Sequence, residues 1–272
     1  MPALRTSRRR KALGQHFLAD PRVADRQVAR AELGPEDVVL EVGPGTGVLT
    51  RRIAPKVRRL LAIEKDPALA QRLRAEFDGV ANVEIVEGDA TEFDYASLGR
   101  FNKVVANLPY SVSTPITFQV LPLDWELAVL MYQLEFAQRL VAEVGRDDYG
   151  RLAAARAYFA TAELVETVPR TAFQPPPQVA SGVVRLRRHR QPPFPVSTPE
   201  AYLELLRVVF STRRKTLRAT LRHQHAALGI ADPDAADQVL DAWGRGGERP
   251  ERIPPAEFGR LSLLLAEARG HD

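Results

Sequence analysis

Short apolar runs alternate with helix-like stretches over the first half of the chain. Two helix-like stretches lie at 48–56 and 67–77, and in the second Leu69, Leu73 and Phe77 recur at the four-residue steps of one helix face. The apolar runs are rich in Val, Ile and Leu and end in polar or glycine-containing turns, which predicts strands at 38–43, 59–66, 83–90, 103–110 and 126–134. This alternation predicts an α/β fold with a mostly parallel sheet covered on both faces.

The pattern changes in the second half of the chain. Helical spacing at 134–144 and 151–160 is followed by two apolar runs, at 164–173 and 182–189, that predict closing strands. The proline-rich stretch 191–199 predicts a linker, and the pattern after it is purely helical, at 201–211, 214–224, 234–243 and 256–268. We therefore expect an α/β domain over residues 1–190 and a small all-α domain over residues 200–272.

Charge is unevenly distributed along the chain. The formal net charge is only +4, from 38 Lys and Arg against 34 Asp and Glu. Residues 1–30 nevertheless carry a net charge of +6 and residues 183–223 a net charge of +8, so the remaining segments sum to −10. Two clusters of basic residues predict contact with a polyanion such as a nucleic acid. We expect residues 1–12 to form a flexible basic tail.

Composition excludes several classes of function. The 272 residues include no cysteine, which excludes a disulfide framework, a thiolate nucleophile and a cysteine-ligated metal. His223 and His225 lie two residues apart, a spacing that does not place them on one helix face, so no metal site is expected. No apolar run approaches the roughly 20 residues of a membrane span, and the basic N-terminus lacks the apolar segment of a secretory signal. We expect a soluble, cytoplasmic protein.

A glycine-rich turn, EVGPGTGVLT (41–50), follows the first predicted strand. Gly43, Gly45 and Gly47 permit a tight turn and the close approach of a ligand to the backbone. Their G-x-G-x-G spacing differs from the G-x-G-x-x-G spacing of a dinucleotide-binding turn. Glu41 is a carboxylate that would repel a pyrophosphate but would suit an ammonium or a sulfonium.

The next two predicted strands also end in carboxylates. Glu64 could accept hydrogen bonds from both hydroxyls of a ribose, and Asp89 could accept one from an adenine amino group. Together with the glycine turn, these residues predict S-adenosylmethionine, a cationic adenosine ligand, as the cofactor. We therefore expect the α/β domain to be a Rossmann-like methyltransferase domain.

The fourth predicted strand ends in the tetrad Asn107-Leu108-Pro109-Tyr110. An adenine amino group is a poor nucleophile because its lone pair is conjugated into the ring, so it needs acceptors for its N–H groups. The Asn107 side-chain oxygen and the Leu108 carbonyl could supply two acceptors, and Pro109 removes a competing N–H and stiffens the turn. Tyr110 offers a ring on which a base can stack. The tetrad predicts methyl transfer to adenine by positioning and electrostatics, without a strong general base.

The ordered set of motifs resembles a known family. GQHFL (14–18), the glycine turn, the Glu64 strand end, EGDA (87–90) and the tetrad resemble the rRNA adenine dimethyltransferases. YGRLAAARAYF (149–159), FQPPPQVASGVVRL (173–186) and FSTRRKTLRATL (210–221) are similar to its KsgA-type branch. The resemblance spans essentially the whole chain. It implies a monomeric enzyme of small-subunit biogenesis that dimethylates the N6 amino groups of two adjacent adenosines in a hairpin loop near the 3′ end of 16S rRNA.

The resemblance also implies roles for individual residues. His16 and Leu18 would lie beside the cofactor, although the family more often has Asn at the position of His16. Asp89 and Ala90 of the EGDA segment would contact the cofactor, and Phe173 would lie near the target base and could stack opposite Tyr110. The family's basic C-terminal element, which would bind the RNA backbone, matches Arg213, Arg214, Lys215 and Arg218.

Three alternatives remain open from the sequence. The same chemistry could act on 23S rRNA, as in the macrolide-resistance relatives, but those commonly read Asn-Ile-Pro-Tyr and lack the pattern at 210–221. A non-catalytic RNA-binding assembly factor would explain the basic segments, but it would not need Glu64, Asp89 and Asn107. An NAD-dependent oxidoreductase is disfavoured by the glycine spacing and by the tetrad.

Overall fold

A computed structural model describes residues 16–212 and 214–269. In this part of the chain the strands form one sheet and one short ladder. In chain order they are β1 (Phe17–Leu18), β2 (Val38–Val42), β3 (Arg59–Glu64), β4 (Val83–Glu87), β5 (Lys103–Asn107), β6 (Leu127–Gln133), β7 (Ala160–Val168), β8 (Phe173–Gln174) and β9 (Ser181–Arg188). β1 and β8 form the ladder, and the other seven form the sheet in the order β4-β3-β2-β5-β6-β9-β7.

Five neighbouring strands of the sheet are parallel. β2 pairs with both β3 and β5, β3 pairs with β4, and β5 pairs with β6, whereas β9 runs antiparallel to β6. All five residues of β2 are buried, as expected for an apolar strand in a parallel sheet covered on both faces. The predicted α/β class with a mostly parallel sheet is confirmed.

The helices lie between and after the strands. They are α1 (Pro21–Arg30), α2 (Thr50–Ile53), α3 (Pro67–Glu76), α4 (Ser113–Val120), α5 (Leu134–Val141), α6 (Arg151–Phe159), α7 (Pro199–Val209), α8 (Leu217–Gln224), α9 (Pro233–Trp243) and α10 (Pro255–Arg269). The side chains of Asp20, Asp66 and Asp232 cap α1, α3 and α9, each just before a proline at the first helical position. Among the described residues, no helix is both long enough and apolar enough to cross a membrane.

Three helices differ from the sequence expectation. The hydrophobic pattern does not predict α1 or α4: α1 carries the polar Gln27 on its buried face, and α4 buries Ser113 and Thr117. The helix expected from 214 begins instead at Leu217, because the Thr216 side chain accepts a hydrogen bond from the Ala219 N–H and caps the first turn.

The chain divides into two compact units. The first contains the described residues up to Ala137 together with Ala162–Arg188, and the second contains Gln138–Thr161 and the described residues from His189 onward. The expected boundary at 190 lies close to the point where the second unit resumes. Helix α6, which the sequence analysis assigns to the α/β domain, is part of the second unit, because it packs against α7 and α10.

The second unit has an apolar helical core of its own. The Tyr202 hydroxyl donates to the Ala154 carbonyl at 3.0 Å and ties α7 to α6. The expected linker 191–199 contains no helix or strand before α7 begins at Pro199. The Phe194 ring within it nevertheless packs against Tyr158 and Tyr202, with centroid distances of 5.5 and 5.8 Å. The proline-rich stretch therefore contributes to the core of the second unit.

The strand order of the first unit creates a place for a ligand. From β2 the chain builds outward through β3 and β4, and then returns to place β5 on the other side of β2. In α/β proteins such a switch point leaves a crevice at the carboxyl ends of the strands, where ligands bind. The carboxyl ends of β2, β3 and β5 carry the glycine turn, Glu64 and Asn107.

Candidate active site

A cavity lies at this crevice, within the first unit. Strand ends form one side of it, and the β1–β8 ladder contributes another. The lining includes most of the predicted cofactor-binding and catalytic residues: His16, Leu18, Gly43, Gly45, Glu64, Asn107, Leu108, Pro109, Tyr110 and Phe173. Residues from five separate sequence segments are thus brought together in one place.

The glycine turn is held by Glu64. Gly45 has a φ of +58°, a conformation that side chains disfavour, and a Cβ there would lie 3.0 Å from the Phe17 ring. Its backbone N–H donates to Glu64 Oε2 at 2.9 Å, and the Asp66 N–H donates to Glu64 Oε1 at 2.9 Å. Burial raises the pKa of Glu64. The carboxylate predicted to bind a ribose therefore also fixes the turn, and it is part of the cavity lining.

Glu41 is the most deeply buried acid of the cavity lining. Its side chain is 1% exposed, and its Oε2 has no hydrogen-bond partner among the described residues. Burial raises the pKa of Glu41 to about 8, and the nearby charge of Glu64 acts in the same direction. A cation placed in the cavity would favour the ionised form of this carboxyl.

The predicted adenine contact has a different environment. Asp89 and Ala90 follow β4 and lie outside the cavity lining. Lys65 Nζ donates to Asp89 Oδ2 at 2.5 Å, and the N–H and hydroxyl of Thr91 donate to Asp89 Oδ1. The Lys65 contact is the main reason that the pKa of Asp89 is lowered to about 2. The assignment of Asp89 and Ala90 to the cofactor stays a prediction.

The tetrad begins where β5 ends. Asn107 is the last residue of β5, and its Oδ1 is buried without a hydrogen-bond partner among the described residues. An unpaired buried acceptor is costly, and here it belongs to a residue that lines the cavity. The Leu108 N–H donates to the Met131 carbonyl at 3.1 Å, and the Pro109 carbonyl accepts from the Val112 N–H. The turn is fixed by its backbone, while the Asn107 oxygen stays available as an acceptor.

Two further predicted site residues with rings, His16 and Phe173, line the cavity together with Tyr110. The His16 imidazole stacks on Tyr110, with centroids 6.0 Å apart and an interplanar angle of 30°, and its Nδ1 is 2.9 Å from the Pro175 carbonyl. Phe173 is 4% exposed and is part of the apolar core beside Leu18, its partner in the β1–β8 ladder. The role of Phe173 beside the target base, opposite Tyr110, stays a prediction.

The predicted RNA-binding residues fall into three groups. Arg213 lies outside the described residues. Arg214 and Lys215 are exposed just before α8. Arg218 within α8 pairs with Asp237 at 2.8 Å and also with Asp241. The charge of Arg218 is therefore compensated within the helical unit, whereas Arg214 and Lys215 have no ion-pair partner among the described residues.

Two polar residues near the tetrad, Gln27 and Ser181, are not predicted as site residues from the sequence. Gln27 is fully buried, and its Nε2 lies 3.2 Å from the Ala106 carbonyl and 3.4 Å from the Val129 carbonyl, so it bridges β5 and β6 just before Asn107. A lone amide on the apolar face of α1 is a signal that could have found it. Ser181 hydrogen-bonds Tyr110 across 71 residues of sequence, and no local pattern indicates that contact.

The cavity lining fits S-adenosylmethionine. Gly43 and Gly45 line the cavity with backbone atoms only, and Glu64 offers oxygens for hydroxyl donors. A cation in the cavity would favour ionisation of the buried Glu41 carboxyl, which would then balance the charge of that cation. No basic side chain lines the cavity apart from His16, so the described residues do not favour a pyrophosphate there.

Sequence comparison places these features in a family. The model of the ribosomal RNA adenine dimethylase family matches residues 6–239. The probable ribosomal RNA small subunit methyltransferase A of Methanosarcina acetivorans is 42% identical over 256 residues, which cover 94% of this chain and 93% of that relative.

Solved structures agree with the sequence match. A dimethyladenosine transferase from Plasmodium falciparum has a TM-score of 0.76 and 28% identity, over 93% of this chain and 98% of the other. The 23S rRNA methyltransferase ErmE has a TM-score of 0.65 and 31% identity, over 92% and 99%. The cavity, the motifs and these matches together show that the chain belongs to the ribosomal RNA adenine dimethylase family, whose methyl donor is S-adenosylmethionine.

Proposed function

We propose that this protein dimethylates the N6 amino groups of two adjacent adenosines in a hairpin loop near the 3′ end of 16S rRNA. The proposal rests mainly on Asn107, whose buried Oδ1 has no hydrogen-bond partner among the described residues and which lines the cavity. The glycine turn that Glu64 holds by a hydrogen bond lines the same cavity. The similarity to small-subunit methyltransferases supports the choice of substrate.

The residues of the tetrad supply acceptors and a stacking surface. Asn107 Oδ1 and the Leu108 carbonyl accept the N–H groups of the amine and turn its lone pair toward the donor. Tyr110 stacks on the base, and a single-stranded loop suits such a site because its bases splay out at little cost. Bound S-adenosylmethionine would supply the electrophilic methyl group and would leave as the neutral thioether, and the amine would lose one proton to water. A monomethylated amine still carries one N–H, which can donate to Asn107 Oδ1 or to the Leu108 carbonyl in the second transfer.

The second unit supplies affinity for RNA in this proposal. Arg214 and Lys215 are exposed cations just before α8, and phosphate contacts from such residues strengthen binding without reading sequence. Together with Arg213, they would place the helical domain on the RNA backbone. The enzyme would act as a cytoplasmic monomer on the small subunit or its precursor during ribosome biogenesis.

Transfer of a labelled methyl group tests the substrate. Unmethylated 30S particles, naked 16S rRNA and 50S particles are incubated in parallel with the protein and labelled S-adenosylmethionine. We expect label in a small-subunit substrate, as dimethyladenosine at two neighbouring positions. Label in 50S particles alone would show a 23S activity like that named for ErmE. Binding to 30S particles without any label would identify an assembly factor.

A further inference from the structure

We propose that Ser181 and His16 are positioning residues that together fix the ring of Tyr110 for stacking on the target base. The proposal deepens the proposed function and rests on it. A tyrosine ring at the end of a turn has two rotatable bonds, and a stacking surface is useful only if both are restrained. The two contacts restrain different bonds.

The first contact fixes the direction of the side chain. Tyr110 begins a single 3₁₀ turn, Tyr110–Val112, and is half-buried, so packing alone encloses it incompletely. Its hydroxyl lies 2.6 Å from Ser181 Oγ, at the short end of the range for O–H···O bonds. Ser181 is fully buried at the start of β9, opposite Gln133 of β6. A rigid sheet position therefore holds the far end of the phenol.

The second contact fixes the plane of the ring. The phenol oxygen lies on the axis through Cβ and Cγ, so a hydrogen bond to it leaves the ring free to rotate about that axis. The His16 imidazole stacks at 6.0 Å and 30° and opposes this rotation. His16 is itself held, because its Nδ1 contacts the Pro175 carbonyl at 2.9 Å, and a carbonyl can only accept, so Nδ1 carries the proton.

Ser181 is chemically suited to this role. A hydroxyl that is completely buried costs free energy unless it is hydrogen-bonded, and Tyr110 is the side chain that satisfies it. Alanine removes only the oxygen and leaves the strand geometry intact. In Ser181→Ala the Tyr110 hydroxyl loses one partner, but the substitution adds no atoms to the core, so the variant is expected to fold.

A double-mutant cycle tests whether this bond acts in methyl transfer. Ser181→Ala and Tyr110→Phe each remove one partner, and each should lower kcat on unmethylated 30S particles about two- to tenfold, the value of one hydrogen bond. The double variant should be no slower than the slower single variant, because the same bond is lost. Affinity for S-adenosylmethionine, measured by calorimetry, should stay unchanged.

Ser262→Ala is the matched control, since it removes another buried serine hydroxyl, from the helical unit. The kcat of this control variant should equal that of the wild type.

A spectroscopic measurement tests the contacts without catalysis. In protein with ¹³C-labelled tyrosine rings, the Tyr110 signal is the one missing from Tyr110→Phe. It should move in Ser181→Ala and in His16→Ala, but not in Ser262→Ala. A stationary signal in both variants, an unchanged kcat in Ser181→Ala, or multiplying losses in the double variant would each overturn the proposal. If the wild type methylates no RNA, the proposed function is wrong, and the two contacts of Tyr110 have no role in catalysis. The ring signals would still show whether the contacts of Ser181 and His16 with Tyr110 exist.

Discussion

The Glu64 carboxylate accepts a hydrogen bond of 2.9 Å from the Gly45 N–H and so joins the end of β3 to the glycine turn after β2. This bond orders the wall of the cavity at which a ribose is expected. Glu64 is 5% exposed, while Glu87, its register partner on β4, is exposed. The two acids are a matched pair for mutation.

Replacing Glu64 with alanine should weaken S-adenosylmethionine binding by about 10- to 100-fold, the value of hydrogen bonds to a charged group. Affinity for 16S rRNA should stay the same. Calorimetric titration with the cofactor and filter binding of RNA measure the two quantities. Glu87→Ala, the matched control, should bind the cofactor like the wild type. Equal cofactor affinity in Glu64→Ala and the wild type would refute the ribose assignment.

Replacing Asn107 with alanine should abolish methyl transfer and leave cofactor binding intact. The side-chain oxygen has no other partner among the described residues, so its loss should not destabilise the fold. Initial rates on unmethylated 30S particles, cofactor titration and thermal unfolding together separate these effects. A turnover close to that of the wild type would contradict the acceptor role.

The stability of the cofactor-free protein should depend on pH through Glu41. Its pKa is about 8 in the folded protein against an ordinary value of 4.5, so unfolding between these values releases a proton. The Glu41 contribution to the free energy of unfolding is therefore fully present below about pH 4.5 and is lost as pH rises to about 8. Denaturant unfolding at several pH values should show a steeper loss for the wild type than for Glu41→Gln. Parallel curves would contradict this assignment.

The same group should couple cofactor binding to proton release. A cationic ligand favours ionised Glu41, so binding near neutral pH should release a proton from this carboxyl. Calorimetry in two buffers of different ionisation enthalpy measures the release. Binding to Glu41→Gln should release fewer protons than binding to the wild type. Protons that the ligand itself gains or loses are the same in both titrations, so they cancel when the two values are subtracted.

Removing the charges of Arg214 and Lys215 should weaken RNA binding and flatten its salt dependence. Each lost phosphate contact lowers the slope of log affinity against log salt by about 0.7 to 0.9. The double glutamine variant is compared with Arg222→Gln, since Arg222 pairs with Asp234 and Asp237. The control should keep the wild-type slope. An unchanged slope in the double variant would place the RNA-binding surface elsewhere.

Local sequence patterns predict much of the fold and part of the cavity lining. The strands and the glycine turn are predictable because apolar runs and positive-φ positions leave a signature in a few adjacent residues. The position of α6 in the helical unit is not predictable from the sequence, because its apolar residues could pack in either unit. The His16 stack on Tyr110 and the Ser181 bond join distant segments. Only tertiary packing determines such contacts.

Leu18 and Phe173 are opposite each other in the β1–β8 ladder, and both line the cavity. Opposed residues of an antiparallel pair have Cα atoms about 4.5 to 5.5 Å apart. The ladder therefore sets the spacing of these two residues on one side of the cavity. Strand pairing, and not the length of the chain between the two residues, determines that spacing.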